Sequence, residues 1–291
     1  MKPVPTVRRS WLDAAKIVSL SLLLPFSTGA HAENHQPAAA VTKMISRAGH
    51  KTAFHVREGS SPVIVLDAGG GADSSYWDTL VPELAKRTGS KIITYDRAGF
   101  GRSDVVPGPW SLQGATDDLA NGLKKLGATQ NVILVSHSLA GEIATYLASQ
   151  HPKWLTGVVL VDANVPQVYT DSFIDRAEAI YAPIIAATKA APPSQQGRQL
   201  LALSESFRET SQEFHKATWP AEVPAIVIVA EHPPFEAEAD VKWWKDAHRQ
   251  FVDGAKNRKF VAADRSSHDV AHDRPDLIIQ AIEELAASAK R

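Results

Sequence analysis

The chain has 291 residues, with 31 basic against 32 acidic side chains and no cysteine. Lack of cysteine excludes a thiol nucleophile, a thiolate metal site and disulfides, so the fold must be held by its core alone. A near-zero net charge without basic clusters excludes nucleic acid as a partner.

In chain order, Arg8, Arg9 and Lys16 accompany a short apolar stretch over 17–26, and Ala30-His31-Ala32 puts small residues at both positions that determine cleavage. This pattern predicts a signal peptide over 1–32 and a periplasmic or secreted protein. The apolar stretch is too short to span a bilayer, so no integral membrane segment is expected after signal removal. Arg8-Arg9-Ser10-Trp11-Leu12 fits a twin-arginine signal as well as a general secretion leader with two arginines in its basic region. Without 1–32 there remain 259 residues, 27 basic against 31 acidic, enough for one sizeable domain over 33–291.

A polar lead-in to about residue 40 precedes two segments, 41–45 and 51–56, that read as an antiparallel pair. Six further strands are predicted at 62–66, 91–95, 131–135, 157–161, 225–229 and 259–263. They are continuous apolar runs, as a parallel sheet covered on both faces requires. Helices are predicted at 75–87, 112–126, 139–150, 237–253 and 276–289. This alternation predicts an α/β fold with a doubly wound, mostly parallel sheet. The stretch from 164 to 222 departs from it. Helices over 171–187, with a kink at Pro183, and over 199–216 are split there by Ala191-Pro192-Pro193-Ser194.

Three segments carry chemistry. Ser136-His137-Ser138-Leu139-Ala140-Gly141 follows the apolar run Val132-Ile133-Leu134-Val135, so a strand breaks sharply into a helix with Ser138 at the apex. That is the geometry of a nucleophile elbow, where small residues flank the serine at two positions on either side. Ser136 and Ala140 stand where glycines are usual. The plainer alternative is a serine capping a helix. Upstream, Asp67-Ala68-Gly69-Gly70-Gly71 closes a strand, and such a cluster can turn backbone N–H groups towards an oxyanion. Late in the chain, Ser266-Ser267-His268 precedes Pro275 and the last predicted helix. Serine needs a base to accept its proton, and His268 is the candidate. His272 invites a metal reading, but there is no His-Glu-x-x-His pattern and no clustered acidic ligand set. A phosphate-binding reading of the glycines fails because no Gly-x-x-x-x-Gly-Lys is present. His137, His151, His232 and His248 read as surface or supporting residues.

The order of glycines, Ser138 and a late His268 resembles the α/β-hydrolase superfamily over nearly the whole chain after residue 32. The turn Asp96-Arg97-Ala98-Gly99-Phe100-Gly101-Arg102-Ser103 and the strand end Leu160-Val161-Asp162-Ala163 are similar to an esterase-like branch. The resemblance implies a helical cap over the active site, an insertion at about 165–222. It implies an oxyanion hole formed by the N–H groups of Leu139 and Gly70, with Gly69 or Gly71 as alternatives because Ala68 stands where relatives carry histidine. It implies a triad acid at a strand end. Asp162 is favoured, with Glu231 second, since the loop Glu231-His232-Pro233-Pro234-Phe235-Glu236 lacks the aspartate that many members place there. Asp96 and Arg97 are expected to anchor their turn. The implied activity is serine-dependent hydrolysis of a small-molecule carboxylic ester or lactone, with no metal or organic cofactor. The same machinery also serves amidases, thioesterases, carbon–carbon bond hydrolases and perhydrolases, and a non-catalytic binding protein can share the fold.

Overall fold

A computed structural model describes residues 39–192 and 194–288; the predicted signal segment lies outside them. Eight strands form one sheet: β1 (Val41–Arg47), β2 (His50–Arg57), β3 (Ser60–Asp67), β4 (Ser90–Asp96), β5 (Val132–His137), β6 (Leu155–Val161), β7 (Ala225–His232) and β8 (Arg258–Ser267). Their order is β1-β2-β4-β3-β5-β6-β7-β8. The hairpin β1–β2 pairs antiparallel, as expected, and β2 runs antiparallel to β4; every later pairing is parallel.

The helices are α1 (Val81–Thr88), α2 (Leu112–Lys125), α3 (Ala140–Gln150), α4 (Asp171–Ala190), α5 (Gln195–His215), α6 (Glu238–Asp253), α7 (Val270–Asp273) and α8 (Pro275–Ser288). Strand residues alternate between two cores. Val132 and Leu134 of β5 pack with Leu119, Ile143 and Trp244 on the face covered by α2, α3 and α6. Ile133 and Val135 pack with Leu84, Ile278 and Ile282 on the face covered by α1 and α8.

The helix predicted over 75–87 is two pieces. Asp73 caps a single 3-10 turn, Ser74–Trp77, by accepting from the Ser75 N–H, and Pro82 then opens α1, because a proline in the first turn forfeits no helical hydrogen bond. β7 and β8 run further than their apolar runs, to His232 and Ser267. Helix α4 continues through Pro183. Helix α5 starts four residues early because Ser194 caps it through the Gly197 N–H.

α4 and α5 are inserted between β6 and β7 and are tied to the loop that follows β4. The Trp110 N–H donates to Ala202 O (2.9 Å), Ser206 Oγ to Trp110 O (2.7 Å) and Gln195 Nε2 to Gly99 O (2.7 Å). Since β3 lies between β4 and β5, the winding reverses there, and the crevice at the carboxyl ends of β3 and β5 is where an open α/β sheet presents a site.

Candidate active site

Ser138 is the first residue past β5. Its φ is +53°, in the left-handed region, and three backbone hydrogen bonds hold it there: its N–H donates to Val161 O, and its carbonyl accepts from Gly141 and Asn164. Ser136 and Ala140 are fully buried, which shows why both must be small. Gly141 meets the chain more closely still, since a Cβ there would lie 2.2 Å from Asn164 O.

His268 follows β8. Its Nε2 is 2.9 Å from Ser138 Oγ and its Nδ1 is 2.6 Å from Asp162 Oδ2. Serine, imidazole and carboxylate therefore lie in one line, although 106 and 130 residues separate His268 from its two partners. The loop carrying His268 is fastened by Asp273, whose Oδ2 accepts from the Ser267 N–H and hydroxyl, both at 2.7 Å.

Asp162 is fully buried at the end of β6, with φ +40°. Its Oδ1 accepts from the Ala230 N–H (3.1 Å) and from Trp244 Nε1 (2.8 Å), leaving Oδ2 for the imidazole. Burial raises its pKa. The His268 hydrogen bond and charge, with the contributions of His248 and Trp244, outweigh burial and hold the carboxyl below its ordinary value. Glu231 faces elsewhere: it lies within β7, half-exposed, and accepts from the Arg265 N–H at 2.5 Å.

Gly70 is exposed at the tip of the turn after β3, and a Cβ on it would approach Leu139 Cβ at 3.6 Å. The two segments expected to carry oxyanion donors thus adjoin. Leu139 opens α3, where N–H groups lack intrahelical acceptors. Gly69 is buried deeper, and a Cβ there would meet His137 Nδ1 at 2.7 Å. The other glycine considered, Gly71, has φ +81° and allows the chain to turn away.

Several further residues support the site. Arg97, expected only to anchor its own turn, sends its guanidinium to Asp67 Oδ1 (2.6 Å) and to the carbonyls of Ala68 and Gly69, so it holds the glycine turn from behind. Asp96 does secure its turn, through the N–H groups of Ser74 and Arg102. His137 Nε2 donates to His268 O (2.9 Å), and its ring is sandwiched between those of His268 and Tyr76. Burial, reinforced by repulsion from His268, pushes His137 down to about 4, so it stays neutral beside the other imidazole. His248 sits beneath Asp162, spanning the carbonyls of Trp244 (2.7 Å) and Ala163 (2.8 Å). Glu142, buried in the first turn of α3, accepts from Asn164 Nδ2 (2.7 Å) and Tyr169 Oη (3.1 Å). Burial of Trp244 and His248 on α6 follows from its apolar face, but their contact with Asp162 requires the fold. His272 bonds Asp269 (2.7 Å), and no group of metal-ligating side chains is found among the described residues.

Comparison with known proteins agrees with this architecture. YqjL of Bacillus subtilis (strain 168), an uncharacterized protein, is 26% identical over 241 residues, covering 81% of this chain and 89% of its own. Two solved structures share the fold. The enol-lactonase from Burkholderia xenovorans LB400 has TM-score 0.56 and 19% identity over 84% of this chain and 99% of its own. A thermophilic esterase from Thermogutta terrifontis has TM-score 0.57 and 20% identity over 85% and 97%. The sequence pattern of the alpha/beta hydrolase family matches residues 64–281, three-quarters of the sequence, and the chain belongs to that family.

Proposed function

We propose that the protein is a serine hydrolase that cleaves a carboxylic ester or lactone through an acyl-enzyme. The observation that carries this reading is the pair of contacts at His268, 2.9 Å to Ser138 Oγ and 2.6 Å to Asp162 Oδ2. His268 Nε2 takes the Ser138 proton as Oγ attacks the carbonyl carbon. Asp162 keeps the other ring nitrogen protonated and stabilises the imidazolium. The tetrahedral oxyanion is held by the N–H groups of Leu139 and Gly70, of which each such donor contributes about a hundred- to a thousandfold in rate. Collapse breaks the carbon–oxygen bond, and His268 passes its proton to the leaving alkoxide. Water, deprotonated by the same imidazole, then frees the acid and restores Ser138. That the enol-lactonase and the esterase of like fold are named for this bond class supports ester or lactone over amide.

A fluorophosphonate probe tests the reading. Labelling of the wild-type protein that disappears in Ser138→Ala is expected. A folded wild-type protein that takes no label would instead be a binding protein on this fold. Export, on the pattern of residues 1–32, is part of the same proposal, and cell fractionation with and without those residues tests it.

A further inference from the structure

Glu142 is a buried carboxyl that the proposed reaction does not use. It stands in the first turn of α3, a little beyond Ser138. Burying a carboxyl is costly, so the bonds that compensate for it show what it holds.

Its Oε1 closes a ring of three hydrogen bonds. Asn164 Nδ2 donates to Glu142 Oε1 (2.7 Å) and to Tyr169 Oη (2.6 Å), and Tyr169 Oη donates to the same Oε1 (3.1 Å). Both amide hydrogens of Asn164 and the phenol proton are thereby used. All three side chains are buried. Each comes from a different part of the chain. Glu142 belongs to the helix behind the elbow. Asn164 follows Asp162 and Ala163, and its main chain meets the elbow directly. Its N–H donates to Ser138 O (2.8 Å), and a Cβ on Gly141 would lie 2.2 Å from its carbonyl oxygen. Tyr169 lies just before α4, and its ring meets Phe173 of α4 and Phe214 of α5 edge to face. Ser138 is thus seated partly by Asn164, and Asn164 is seated by Glu142.

We propose that Glu142 is a positioning residue: through Asn164 it fixes Ser138 relative to Asp162, and through Tyr169 it registers the inserted helices against the same point. The proposal rests on the serine-hydrolase reading, which gives Ser138 and Asp162 their roles. Glu142 touches no reacting atom. Its loss acts by displacing the elbow, and small displacements at a reacting centre weigh heavily on rate.

Steady-state kinetics on nitrophenyl acetate, normalised to active sites titrated to completion with a fluorophosphonate, tests this. Glu142→Leu should lose at least about tenfold in kcat per site, with KM within about threefold of the wild type. Glu142→Gln, which keeps an oxygen acceptor for both donors, should stay within about threefold of the wild-type kcat. Tyr169→Phe, which forfeits one neutral hydrogen bond, should lose about two- to tenfold, and it decides the matter should Glu142→Leu fail to fold. Unchanged kcat per site in the Leu and Phe variants, with the damage confined to melting temperature or to the number of titratable sites, would show packing alone and overturn the proposal. A Gln variant as impaired as the Leu variant would overturn it too. A wild-type protein that neither takes the probe nor turns over the ester would defeat the hydrolase reading and this proposal with it, a result seen before any variant is made.

Discussion

Asp162 carries a buried charge with three hydrogen-bond donors around it, and only one of those is the imidazole. Asp162→Asn keeps the shape but presents an amide to His268, favouring the wrong tautomer. Turnover should fall by about 10³–10⁴, whereas Glu231→Gln should leave kcat within about twofold. Steady-state kinetics on a nitrophenyl ester separates the two. Glu142 offers a test on stability. Burial pushes its carboxyl up to about 7, and the bonds from Asn164 and Tyr169 only partly oppose that. Between its ordinary value of 4.5 and about 7, the folded protein keeps a proton that the unfolded chain releases. Stability therefore falls as pH rises through that window, by up to about 3 kcal/mol. Urea unfolding at pH 5 and pH 8 should show this drop in the wild type and a smaller one in Glu142→Gln.

At the level of elements, the elbow depends on how closely α3 approaches the end of β6. Gly141→Ala would drive a methyl group to 2.2 Å from Asn164 O. The backbone that carries Ser138 and Asp162 would have to part, so a loss of at least about 1–3 kcal/mol is expected in denaturant unfolding, together with loss of probe labelling. This region also shows what was legible beforehand. Strand positions, Ser138 and His268 could be read because apolar runs and a sharp strand-to-helix break leave a local signature. Asp162 could be read only as one of two strand ends, since the choice depends on which loop meets His268. Trp244 was not legible as a support of the site, and Arg97 and His137 were legible only as a turn anchor and as a surface or supporting histidine. Each acts across tens of residues, on a carboxylate, two carbonyls and a histidine backbone respectively, and no local pattern encodes such distant contacts.

Across the whole molecule, aromatic rings join the inserted helices to the sheet. Tyr169 meets Phe173 and Phe214 edge to face, Phe173 meets Phe235, and Phe235 meets Trp244, the donor to Asp162. Phe214 is fully buried. Phe214→Ala should lower unfolding free energy by about 3–5 kcal/mol, and kcat should fall as well if the ring chain helps to seat Asp162. With no cysteine in the sequence, added reductant should leave the melting temperature unchanged.

The main chain at Ser138 occupies a left-handed conformation that a side chain disfavours by roughly 1–2 kcal/mol. Glycine at that position would relax the tension, so an inert Ser138→Gly protein should melt above its active parent. Robustness and chemistry then pull in opposite directions at a single atom group. A lineage released from selection for hydrolysis would gain thermal tolerance by surrendering this hydroxyl early.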